Sequence, residues 1–132
     1  MAREPTADAS KLLTETELEI MSLLWRLGGG GVQEVLQALP PARVLARTSV
    51  STMLRILEAK GFVASTERGR AHRYEPTLTK ADYEARSVEH LVARVFDGNA
   101  ATLMRRLLDT HSLDREELEA VRALLKKKGV RT

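Results

Sequence analysis

At 132 residues the chain suits one compact domain, or a small domain with an appendage. Hydrophobic residues make up 43 % and aromatics only 4 %, so a core must be built mainly from Leu, Val, Ala and Met; the absence of cysteine excludes disulfides, thiolate metal sites and thiol redox switching. The net charge of +3 is unevenly placed: residues 1–41 carry −3, residues 42–75 carry +4 (Arg43, Arg47, Arg55, Lys60, Arg68, Arg70 and Arg73 against Glu58, Glu67 and Glu75), and residues 76–132 carry +2.

Residues 1–11 are polar, contain Pro5 and read as a loose tail. They lack the apolar stretch of a signal peptide, and no apolar run reaches the ~18 residues of a membrane span, so a cytoplasmic chain without membrane insertion is expected. Thr14-Glu15-Thr16-Glu17 fits a capping box, and Leu18, Met21, Leu24 and Trp25 then recur at helical spacing. Trp25 reads as core rather than a base-stacking platform. Gly28 to Gly31 end this first helix and read as a flexible turn, since no Lys-Ser/Thr follows to make a phosphate loop.

Val32 to Leu39 is a second, short helix with Val35, Leu36 and Leu39 inward, stopped by Pro40-Pro41. Ala42 to Arg47 is a basic connector. The third helix is expected to begin near Thr48 or Ser49, with Val50, Met53, Leu54 and Leu57 as its buried stripe and Ser51, Thr52, Arg55 and Glu58 outward. Lys60-Gly61 closes it, Gly61 being suited to a left-handed position. Phe62 to Thr66 and Ala71 to Glu75 alternate as two strands of a hairpin whose tip is Glu67-Arg68-Gly69-Arg70, and Pro76 ends it. Tyr74 is expected to pack this hairpin against the first helix near Trp25.

The last third is helical. Thr79 to Asp82 resembles a capping start, followed by Tyr83, Val88, Leu91, Val92, Val95 and Phe96 at helical spacing. Gly98-Asn99 interrupts, with Asn99 a good cap for Ala100 to Asp109, and Asp114 to Glu117 starts a final helix carrying Leu118, Val121, Leu124 and Leu125. Lys126 to Lys128 complement its dipole at the C-terminus, and Gly129 ends it. The apolar faces of these helices are too broad for the helices to cover one another. A second copy of the segment, in a two-fold dimer, is the simplest partner; packing back on the first part of the chain is the alternative.

The expected fold is therefore mainly α with a small antiparallel β-wing. A winged helix-turn-helix occupies residues 12–78, and a helical dimerisation domain occupies 79–132. A polar helix followed by a basic hairpin suits double-stranded DNA, the helix in a major groove and the wing along the phosphates. The candidate contacts are Arg47, Thr48, Ser49, Ser51, Thr52 and Arg55, with Arg68, Arg70 and Arg73 from the wing; Arg43 could join them on the backbone. The bland readings are a solvated helix face and charges that protect an edge strand. The dimer core would be Val88, Leu91, Val92, Val95, Leu103, Leu107, Leu108, Leu118, Val121 and Leu125. His72, His90 and His111 lie in different elements and form no i,i+4 pair, so neither a metal nor a cofactor is expected, and no catalytic motif is present.

LTETELEIMSLLW, VQEVLQAL, TSVSTMLRILEAKGFV and RAHRYEP together resemble the penicillinase-repressor family of transcriptional regulators (BlaI/MecI type), over roughly residues 13–126. The resemblance implies a homodimeric winged-helix repressor on a palindromic operator, and no enzyme. In the antibiotic-responsive members a membrane-bound sensor metalloprotease triggers cleavage at an Asn–Phe bond in the dimerisation domain. The matching bond here is Arg106–Leu107, a departure that sets the family's protease specificity apart from this chain. The copper-responsive branch uses C-terminal cysteines, of which this chain has none. A winged-helix protein–protein adaptor without DNA binding, and a repressor sensing a small molecule between its domains, are the alternative functions.

Overall fold

The computed structural model describes residues 12–68 and 71–129; the expected tail at 1–11 and the wing-tip residues Gly69 and Arg70 lie outside them. Among the described residues the order is α1 (Glu15–Leu27), α2 (Val32–Ala38), α3 (Arg47–Ala59), β1 (Val63–Arg68), β2 (Ala71–Pro76), α4 (Lys80–Arg94), α5 (Ala100–Thr110) and α6 (Arg115–Lys127). Contacts gather the chain into two compact units, Met1–His90 and Leu91–Thr132.

In the first unit, α1 starts on its capping box. The Thr14 N–H donates to Glu17 Oε1 at 2.8 Å, and the Glu17 N–H donates to Thr14 Oγ1 at 3.2 Å. Glu17 is only 3 % exposed, and Lys60 Nζ donates to both of its carboxylate oxygens at 2.8 and 2.9 Å. One side chain thus caps α1 and ties its first turn to the end of α3. Burial pushes the Glu17 carboxyl up, but the hydrogen bond and charge of Lys60 and the two Thr14 hydrogen bonds outweigh it and hold it below the usual carboxylate range.

Ile20, Met21 and Leu24 of α1 meet Val35 of α2 and Val50, Leu54 and Leu57 of α3 in one core, each fully buried. Burial of such a side chain is worth about 1.5–3 kcal/mol. Leu39 leaves α2 in an extended conformation, because the ring of Pro40 disfavours helical backbone in the residue before it. At the end of α3, Gly61 takes a φ of +84°, and the Phe62 N–H returns to the Leu57 carbonyl at 2.9 Å. Phe62 is therefore a buried cap residue, and β1 begins one position later than its apolar character suggests.

The antiparallel register sets Val63 opposite Pro76, Ser65 opposite Tyr74, Glu67 opposite His72 and Arg68 opposite Ala71. Glu67 and Arg68, expected at the tip, are thus the last paired residues of β1.

The glycine run is not a flexible turn. Gly30 exchanges both backbone hydrogen bonds with Tyr74 at 2.9 Å and acts as a one-residue third strand. A Cβ on Gly31 would lie 2.7 Å from the His72 carbonyl oxygen, and one on Gly29 (φ +127°) would lie 3.0 Å from that of Tyr74. Backbone meets backbone here, and only glycine leaves the space.

Tyr83 of α4 belongs to this core as well. Its ring lies 5.8 Å from Trp25 and 5.9 Å from Phe62, and its hydroxyl accepts from the Leu13 N–H at 3.0 Å. Trp25 is half-buried rather than enclosed, and its Nε1 donates to the Leu78 carbonyl at 3.0 Å. Its ring partner is Tyr83.

In the second unit, Asn99 Oδ1 caps α5 by accepting from the Thr102 N–H at 3.1 Å, and Asp114 and Glu117 form a capping box on α6. Neither α5 nor α6 has a buried residue. Among the described residues no helix is long and apolar enough to cross a membrane.

Two stability tests follow from these contacts. Gly31→Ala is expected to cost about 2–3 kcal/mol, the upper part of the ~1–3 kcal/mol range of forced overpacking, although Gly31 has an ordinary φ of −102°. Gly28→Ala, at a φ of +79° with nothing within 4 Å, should cost only about 1 kcal/mol of left-handed backbone strain. Equal losses in chemical denaturation would mean that the third strand does not need its close approach. For Glu17, the folded carboxyl lies below its ordinary 4.5, so its contribution is complete above about pH 4.5 and fades as pH falls through the folded value. Glu17→Gln should cost about 1–3 kcal/mol near pH 7, and the gap to wild type should close as the solution is acidified.

Candidate nucleic-acid interface

Leu45 packs against the core, and α3 begins directly behind it at Arg47, with Ala46 at the cap making no side-chain bond. Thr48 and Ser49 accordingly lie inside the first turn rather than ahead of it, and Arg47 joins the helix. With Val50, Leu54 and Leu57 inward, the 3.6-residue period directs Thr48, Thr52 and Arg55 straight outward, and all three are exposed. Arg47, Ser51 and Glu58 turn toward the hairpin. Ser49, also exposed, falls on the flank away from it.

Between α3 and the hairpin lies an open cleft of about 470 Å³, lined by Gln33, Arg47, Ser51, Arg55, Glu58, Ser65 and His72, with Gly31, Val32, Ala71 and Tyr74 completing its wall. Ser65 Oγ donates to Glu58, joining the hairpin to α3. An Arg47 guanidinium N–H donates to the Gln33 side-chain carbonyl of α2.

Whether each arginine is neutralised differs. Arg43 Nε donates to Glu19 at 3.0 and 3.2 Å, so its charge is compensated within the protein. Arg73 sits opposite Thr66, on the hairpin face turned away from the cleft. It pairs with Glu75 at 3.2 Å and reaches over Gly29. The structure therefore does not bring Arg73 to the surface formed by α3. Arg47 meets only a neutral acceptor, and Arg55 makes no ion pair with the described residues. Of Arg43, Arg47, Arg55 and Arg73, the two on α3 are thus the ones without a carboxylate partner among the described residues. Arg68 ends β1 opposite Ala71, next to the tip, while Arg70 lies outside the described residues.

Gln33, Ser65 and His72, which line the cleft, were not among the expected contacts. The outward phase of Gln33 on α2 was readable, but its meeting with Arg47 was not. For His72, strand alternation places it on the same face as Tyr74, which is the face turned to α3. That signal was present in the sequence.

On the C-terminal helices, Val88, Leu91 and Val92 lie on one face of α4, and Val95 follows one residue beyond its end. Val95 is 62 % exposed and Val88 50 %, while Val92 is half-buried. On α5, Leu103 is half-buried and Leu107 and Leu108 are exposed; on α6, Leu118 and Val121 are exposed and Leu125 half-buried. Met104 and Leu124, which were not among the expected dimer-core residues, are also exposed apolar side chains of α5 and α6. Arg106 and Leu107 lie within α5, and Arg106 pairs with Asp109 at 3.1 Å. Among the described residues no three metal-ligating side chains gather in one place.

The penicillinase repressor family matches the chain over residues 13–127. The penicillinase repressor of Bacillus licheniformis is 24 % identical over 113 residues, covering 86 % of this chain and 88 % of that one. The methicillin resistance regulatory protein MecI of Staphylococcus aureus is 18 % identical over 116 residues, covering 88 % and 94 %. Among solved structures, the DNA-binding domain of the repressor BlaI superposes with a TM-score of 0.51 at 26 % identity, covering 59 % of this chain and 94 % of that domain.

Proposed function

This chain belongs to the penicillinase repressor family and is a DNA-binding transcriptional repressor of winged-helix architecture; we propose that it represses as a homodimer on a palindromic operator. The observation that carries the DNA surface is the exposed polar face of α3, where Arg47 and Arg55 keep their charge while Arg43 and Arg73 are paired. Thr48, Thr52 and Arg55 read base edges in the major groove, and Ser49 and Ser51 flank them. Arg68 and Arg70 at the wing hold phosphate. The adaptor reading gives way to family membership, and the family is one of repressors rather than enzymes.

The dimer rests on the exposed apolar side chains of α4, α5 and α6, Val88, Leu107, Leu108, Leu118 and Val121 among them. Covering them with a second copy yields an isologous interface, and two copies of α3 then meet two half-sites of opposite polarity. The site of action is the cytoplasm, where the operator is.

Release through a sensor-linked protease would cut Arg106–Leu107 in the middle of α5, severing α6 from the chain before it. Because that bond joins a cation to an aliphatic residue, the protease would need a side-chain preference different from Asn–Phe. The peptide bond is held in a helix, so α5 would have to unwind for cutting.

Operator DNA selected from a random pool provides the assay. Arg55→Ala should weaken specific binding by about 1–3 kcal/mol, and unchanged affinity would remove Arg55 from the reading face. Arg68→Ala should weaken all sequences alike and lower the salt dependence by about one unit of slope; an unaltered slope would take the wing off the phosphates. For the dimer, Leu108→Glu should raise the dissociation constant by sedimentation at least about 30-fold, the loss of a ~2 kcal/mol anchor, while leaving the circular dichroism of the winged helix intact. A dimer that survives this change would place the interface elsewhere.

A further inference from the structure

A helix seated in a major groove is bounded on each side by a sugar–phosphate strand. On the hairpin side of α3 that strand has one place to pass, the cleft between α3 and β2. Groups on the wing side of the cleft therefore meet phosphate oxygens, and groups on the outward ridge of α3 meet bases. His72 is one of the cleft residues, on the wing side, facing Arg47, Ser51 and Arg55 across it. Its side chain is 53 % exposed. Its backbone is held on both sides: it pairs with Glu67 in the sheet, and its carbonyl packs directly over Gly31. The imidazole is thus presented to the cleft from a fixed point.

We propose that His72 is a further DNA-contacting residue, donating in its protonated form to the phosphate strand that runs through the cleft. The assignment rests on the reading of α3 as the helix in the major groove. Imidazole is the side chain whose charge ordinarily changes between about pH 5 and 8, so this contact makes operator affinity depend on pH.

The charged and polar groups around His72 fix the size of the effect. From β1, Glu67 lies 3.9 Å from His72 Nε2, too far for a direct hydrogen bond, and its side chain is 76 % exposed. From α3, Arg47 and Arg55 oppose a cation in the cleft, while Glu58, which accepts from Ser65 and keeps its negative charge, favours one. From α2, Glu34 accepts from the Gly31 N–H at 2.9 Å, and Gln33 is neutral. Within β2, the Tyr74 ring is 6.4 Å away, and Arg73 lies on the opposite face. The carboxylates near His72 are Glu67, at 3.9 Å, and Glu58, across the cleft. An arriving phosphate supplies a directly bonded anion and relieves the repulsion from both arginines.

The test is operator binding by fluorescence anisotropy at pH 6 and pH 8, at matched ionic strength and across a salt titration, with the full chain. Wild type is expected to bind about three- to tenfold more weakly at pH 8, with a salt slope smaller by about 0.9, the loss of one phosphate contact. His72→Gln, checked for an unchanged melting temperature, should show the same affinity and slope at both pH values. Glu67→Gln removes the competing carboxylate and should enlarge the pH dependence. A pH-independent wild type, or a His72→Gln variant that retains the wild-type pH dependence, overturns the assignment. If wild type bound no selected sequence more tightly than random DNA at either pH, the placement of α3 in the groove would fail instead.

Discussion

The geometry of the DNA-facing surface depends on one backbone contact, the paired hydrogen bonds between Gly30 and Tyr74. They make the α1–α2 turn a third strand of the wing, so the hairpin cannot swing independently of the helices. A two-stranded hairpin alone is at best marginally stable in water. Here its β2 edge is occupied by Gly30, and Tyr74 plugs its inner face into the core. The flanking glycines are required because the carbonyls of His72 and Tyr74 occupy the space that a side chain would need. The spacing between wing and α3, and with it the width of the cleft, follows from that contact.

Two further ties set the remaining degrees of freedom of the first unit. Glu17 holds the start of α1 to the end of α3 through Lys60, a nearly buried carboxylate whose hydrogen-bonding capacity is met by one ammonium and one backbone N–H. Tyr83 inserts between Trp25 and Phe62, anchoring the start of α4 on the winged helix. The division of the chain after His90 reflects this, since the first turns of α4 contribute to the core of the unit that precedes them.

The charge pattern acquires meaning only after this framework is in place. Seven basic residues between positions 42 and 75 looked equivalent as a tally. In three dimensions Lys60 is structural and Arg43 and Arg73 are compensated, whereas Arg47 and Arg55 on α3 have no carboxylate partner among the described residues; Arg68 ends β1, and Arg70 lies outside the described residues. Counterion release responds to charges that are free to meet DNA, so the useful charge is smaller than the sum.

Helix positions, the capping boxes at Thr14 and Asp114, the left-handed Gly61 and the strand pair were legible in the residues themselves. Each is decided by interactions within a few positions along the chain: a side chain against the next turn, or an alternation of apolar residues. The outward face of α3 was legible for the same reason, because a period of 3.6 residues fixes what lies opposite Val50, Leu54 and Leu57. What the sequence could not express were contacts between residues distant in it. The glycine run read as slack because its partner strand lies more than forty residues later, and Arg73 read as a DNA contact because its neutralisation by Glu75 and its place over Gly29 depend on which face of the hairpin meets α3. Local periodicity determined the elements and their polar faces; close packing of backbone on backbone decided which of those faces share one cleft.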